Sequence, residues 1–75
     1  MTEYALTRRE VQVVEALAAG ERPKQIALRL GISRKTVEHY EGRLYRKLGA
    51  KTAPHAVALY LARCHRTAMT AGLSY

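Results

Sequence analysis

The apolar residues of this chain recur every three or four positions, the spacing of one helix face, and give no sustained strand signal. Thr7-Arg8-Arg9-Glu10 opens the first run as a capping box, in which the Thr7 hydroxyl accepts from the Glu10 N–H and the Glu10 carboxylate accepts from the Thr7 N–H. Leu6 and Val11 are placed as a hydrophobic staple, and Val11, Val14, Leu17 and Ala18 carry the stripe until Gly20. A helix over about Thr7 to Ala19 is predicted. Pro23 suits the first turn of a second helix, where its missing N–H has no helical partner, and Ile26, Ala27 and Leu30 line it up to Gly31. Ser33 caps a third helix with Val37, Tyr40 or Glu41, Leu44 and Leu48 inward, ending at Gly49. Thr52 caps a fourth, with Pro54 in its first turn and Ala56, Val57, Leu59, Tyr60 and Cys64 on its apolar side, fading between Arg66 and Gly72.

With no strand signal, internal repeat or linker, the expected fold is an all-α bundle of four helices. Its second and third helices are joined by only Gly31, Ile32 and Ser33, the sequence form of a helix-turn-helix. Ala27 is small where the two helices approach, Gly31 supplies the positive φ of the turn, and Val37 fills the wedge between them. Each residue type is common in helical cores, so the signal lies in the combination and its register.

Seventy-five residues make one domain, residues 1–75, with a core over about 6–66. The tail 67–75 is expected to be flexible or, alternatively, to cap the bundle through Leu73 and Tyr75. A chain this short buries only about 60% of its unfolded surface, which argues against a cofactor-sized cavity. Thirteen Lys plus Arg against six Asp plus Glu give +7, and the excess is local: residues 1–20 carry −1, residues 21–50 carry +5 and residues 51–75 carry +3. A basic stretch laid over the helix-turn-helix points to nucleic acid, the bland alternative being a solvated face.

Other classes fall away on composition. Cys64 is the only cysteine, so no internal disulfide forms and a reducing compartment is expected. No signal peptide and no eighteen-residue apolar run is visible, so the expected location is cytoplasmic, with no membrane partner. His39, His55 and His65 are scattered, Cys64 has only its neighbour His65 nearby, and no phosphate loop or positioned nucleophile is present. The expectation is a non-enzyme with no metal and no cofactor.

Leu6-Thr7-Arg8-Arg9-Glu10, Ala19-Gly20, Lys24-Gln25-Ile26-Ala27, Leu30-Gly31-Ile32-Ser33, Thr36-Val37, Lys47-Leu48-Gly49 and Ala56-Val57 stand in one register from Leu6 to Arg63. In this the chain resembles the LuxR/FixJ/NarL-type DNA-binding domain, and in its length the stand-alone, GerE-like kind. Region four of sigma factors shares the first three helices, but the helix after Lys47-Leu48-Gly49 favours the LuxR type. The resemblance implies a sequence-specific transcriptional regulator that binds double-stranded DNA as a homodimer, with the third helix, about residues 33–48, in the major groove.

In such a unit the start of the second helix of the pair reads base edges while neighbouring groups hold phosphates. Arg34, Lys35, Glu38 and His39 are the candidates for base edges. Thr36, Tyr40, Arg43, Arg46 and Lys47 are candidates for phosphates, joined from the amino side by Thr7, Arg9 and Lys24. Glu38 departs from the family pattern, which has a basic residue after Thr-Val; a carboxylate there either selects cytosine through N4 or weakens binding. Tyr40 replaces a family histidine, and Gly42 stands where a long side chain is frequent, at a cost of about 1 kcal/mol in helix propensity. By the same resemblance the fourth helix forms the dimer contact, through Val57, Ala58, Leu61 and Ala62.

Two other function classes fit the same features. Glu38 and Gly42 on the reading face suit an adaptor or antagonist that grips a transcription factor or RNA polymerase instead of DNA. A helix-turn-helix subunit of a larger DNA machine is the other.

Overall fold

The structure, a computed structural model, describes the backbone of residues 5–72 and the side chains of residues 5–63. Four helices follow one another: α1 (Arg8–Ala18), α2 (Pro23–Leu30), α3 (Arg34–Leu48) and α4 (Ala53–Gly72). No strand occurs among the described residues.

The helix boundaries follow local chemistry. Thr7 is extended and accepts from the Glu10 N–H at 3.2 Å, while its own N–H donates to Glu10 Oε1 at 2.9 Å, completing the capping box. At the start of α2 the Arg22 N–H donates to Gln25 Oε1 at 2.8 Å, a cap the sequence reading missed because arginine is not a capping residue. Ser33 Oγ accepts from the Thr36 N–H at 3.0 Å, and Thr52 Oγ1 from the His55 N–H at 3.2 Å, as expected for the caps of α3 and α4. Gly31 closes α2 at φ 71°, and the Ile32 N–H returns to the Ala27 carbonyl at 3.0 Å. A side chain at that φ would be strained, so glycine sets the sharp turn into α3.

The core is Val13, Val14, Ala16, Ile26, Ala27, Val37, Leu44 and Ala56, with Leu6, Leu17, Leu30, Ile32, Tyr40, Tyr45, Leu48, Val57 and Tyr60 packed around it. α1 lies against α3 and α4, and α2 against α3. Ala27, Gly31 and Val37 hold the places expected of them, with Val37 fully buried between α2 and α3.

Two expectations are corrected. The inward face of α1 is centred on Glu10, Val13, Val14 and Leu17 rather than on Val11 and Ala18; Val11 is only half-buried and Ala18 exposed. The stripe was displaced because Glu10, one of its members, is charged. Helix α4 ends at Gly72, at the far limit of the range expected for it, with the backbone of residues 67–72 helical; Leu73 and Tyr75 lie outside the described residues. Leu59 is half-buried and stands outside the central cluster.

Candidate nucleic-acid interface

The first two turns of α3 carry the expected base-reading residues, and all four are exposed. Arg34, Lys35, Glu38 and His39 project from the helix that follows the turn, capped at its start by Ser33. Arg34 Nε lies 3.3 Å from Glu38 Oε2, an ion pair across one helical turn with both side chains more than half exposed. The two residues therefore neutralise each other on the surface before any ligand arrives. His39 meets the edge of the Tyr40 ring, with centroids 6.3 Å apart. Tyr40 packs against the core as expected, beside the exposed start of α3.

The cations further along α3 divide. Arg46 is exposed and, like Lys35, has no carboxylate partner among the described residues. Lys47 and Arg43, expected from sequence to meet phosphates, converge on Glu10 in the folded chain. Lys47 Nζ donates to Glu10 Oε1 at 2.8 Å and to the Ala5 carbonyl at 3.4 Å, and Arg43 Nε donates to Glu10 Oε2 at 3.2 Å. Glu10 is fully buried. Burial by itself raises its pKa, but the Lys47 ammonium, the Thr7 N–H and the Arg43 guanidinium outweigh that and hold it at about 2. Lys47, expected outward, thus turns to a buried carboxylate; Arg43 leaves the rest of its half-exposed guanidinium toward solvent.

Sequence reasoning saw Glu10 only as a capping residue and missed this second role. The available signal was its position, three and four residues before the core valines Val13 and Val14. Burial and the charge of Glu38 raise the Glu41 pKa, while Arg34 opposes them, so the acidic side of α3 bears its own repulsion.

The amino-side candidates lie at the starts of α1 and α2. Thr7 is engaged in its cap, Arg9 Nη1 donates to Gln12 at 3.0 Å, and Lys24 is exposed in the first turn of α2. Thr36 is half-buried, and its hydroxyl lies 2.8 Å from that of Ser33. No described residue explains Gly42: among them a Cβ there would meet only Arg46 Nη1, at 4.0 Å. On α4, Ala58, Leu61 and Ala62 are exposed, and Val57 is half-buried and packs against the core. No helix among the described residues is long and apolar enough to cross a membrane.

Known proteins share this architecture and register. The chain is 47% identical over 47 residues to the transcriptional regulatory protein TdiR of Thauera aromatica, covering 63% of this chain and 21% of that protein. It is 44% identical over 57 residues to the transcriptional regulatory protein FixJ of Rhizobium meliloti, covering 76% of this chain and 28% of FixJ. The chain spans about a quarter of the length of these relatives. Among solved structures, the VqmA dimer of Vibrio cholerae, a LuxR-type receptor, superposes with a TM-score of 0.77 at 43% identity, over 80% of this chain and 27% of that one. Residues 4–60 match the family described as bacterial regulatory proteins, luxR family. With the capped helix-turn-helix, its fourth helix and these matches agreeing, the chain belongs to the luxR family of bacterial regulatory proteins and carries that family's helix-turn-helix domain.

Proposed function

We propose that this domain binds double-stranded DNA sequence-specifically and regulates transcription, with α3 in the major groove. The observation that carries the reading is the exposed start of α3, where Arg34, Lys35, Glu38 and His39 stand together and serve no part of the core. Those four meet base edges. Thr7, Arg9, Lys24, Thr36, Tyr40 and Arg46 hold phosphates, and Arg43 joins them through the nitrogens that Glu10 does not take. Lys47 acts from behind, fixing α3 to α1 through Glu10. The protein works in the cytoplasm as a homodimer through Ala58, Leu61 and Ala62, placing two α3 helices on half-sites about one DNA turn apart. The reading involves no catalysis and no cofactor.

Selection of bound duplexes from a random pool tests the proposal, because it reports binding, base preference and half-site spacing together. A paired motif whose affinity falls with salt supports it; recovery of no motif overturns it. A second reading, an adaptor that grips RNA polymerase or another transcription factor, draws on Leu28, which is 76% exposed on α2. It predicts DNA retention that is weak and without base preference.

A further inference from the structure

Reading the major groove with a glutamate is electrostatically expensive, since the groove is flanked by phosphates that repel a carboxylate. Glu38 nevertheless sits at the centre of the exposed start of α3, and its partner is Arg34, one turn earlier. The Nε–Oε2 approach of 3.3 Å is an ion pair on the Nε side of the guanidinium and at one carboxylate oxygen. That division matters chemically. An arginine held at Nε still presents its two outer nitrogens as a fork, and guanine O6 and N7 are the acceptors that such a fork fits. The other carboxylate oxygen accepts, and cytosine N4 is the major-groove donor that it fits.

We propose that Arg34 and Glu38 act as one reading unit, in which Glu38 Oε2 holds the Arg34 guanidinium so that its outer nitrogens take a guanine while Glu38 Oε1 accepts from the N4 of a cytosine in the neighbouring base pair. This rests on α3 entering the major groove as proposed above, and goes further by making the two contacts interdependent. Each residue removes the liability of the other. Arg34 cancels the charge that phosphates would repel, and Glu38 limits the rotamers of a side chain that is otherwise costly to order. Gly42, one turn beyond Glu38, supplies the clearance: no side chain stands there and only Arg46 Nη1 comes within 4.0 Å of where a Cβ would be. The bare backbone lets the helix settle deeply enough for the short glutamate to reach a base edge.

The test is base-resolved affinity for the parent, Arg34→Ala, Glu38→Ala and the double variant, measured on every single-base change of the selected site. Both side chains are solvent-exposed, so all four proteins should keep the same helical circular dichroism. If the unit exists, each single variant relaxes both the guanine and the cytosine position by about tenfold. The double variant then binds no worse than Arg34→Ala alone, because Glu38 without its partner only repels phosphate. Relaxation of one position per variant, with losses that multiply in the double, overturns the coupling while leaving DNA recognition intact. A parent that selects no site overturns the coupling and the functional reading together.

Discussion

Lys47 Nζ and Glu10 Oε1 meet at 2.8 Å although 37 residues separate them, joining the last turn of α3 to the first turn of α1. Arg43 completes the contact from one turn earlier on α3, so one buried carboxylate both caps α1 and anchors the carboxyl-terminal half of α3. The orientation of α3 is therefore set at both ends: by the turn at Gly31 to Ser33 and by a charge cluster at Arg43 and Lys47.

Replacing Glu10 with glutamine keeps a side chain that can close the capping box but removes the charge facing two cations. The expected loss is about 3 kcal/mol, the lower end for breaking a buried pair, because Lys47 and Arg43 retain some access to water. For a domain whose whole stability is of order 4 to 11 kcal/mol this is a large fraction. Urea unfolding of Glu10→Gln against the parent measures it; a change below 1 kcal/mol would show that the cluster is not structurally important.

The same carboxylate gives the domain a pH dependence. Its folded pKa of about 2 lies below the ordinary value of 4.5, so its stabilisation is fully present above the unfolded pKa and is lost as pH falls toward 2. Glu41 contributes with the opposite sign: its pKa is raised, so its part is present at low pH and disappears as it ionises. The urea midpoint of the parent should fall between about pH 5 and pH 2. Glu10→Gln should flatten that fall; identical profiles would assign the acid sensitivity elsewhere.

Gly42→Ala separates folding from function. The site is open, and alanine gains about 1 kcal/mol in a helix interior, which for a domain of this size raises Tm by about 4 to 8 °C. Affinity for the selected duplex should nonetheless fall, since the added methyl lifts the helix from the groove floor. Thermal melts and titrations on the same preparation check both; a variant more stable and equally tight in binding refutes a role in close approach.

Leu61 and Val57 distinguish surface from core on α4. Leu61 is 49% exposed, so Leu61→Glu should leave the melting temperature nearly unchanged and convert the proposed dimer to monomer in sedimentation. Val57→Glu should unfold the domain, because Val57 packs on the core. A parent that sediments as a monomer at micromolar concentration removes the dimer from the proposal.

The sequence by itself determined the local events: the Thr7, Ser33 and Thr52 caps, the Gly31 turn, the start of each helix and the charge laid over α2 and α3. Each depends on residues within about four positions of one another, where sequence distance and spatial distance are nearly the same. The tertiary structure alone decided which cations were available. Arg43 and Lys47 look like outward phosphate ligands on an isolated helix, and only the docking of α1 brings Glu10 beneath them, 33 and 37 residues away in the chain. The same holds for Val57, whose apolar side chain suits a core or an interface equally until the packing of α4 on the bundle assigns it to the core. Coulombic attraction and burial act through space, so no reading confined to neighbours along the chain predicts them.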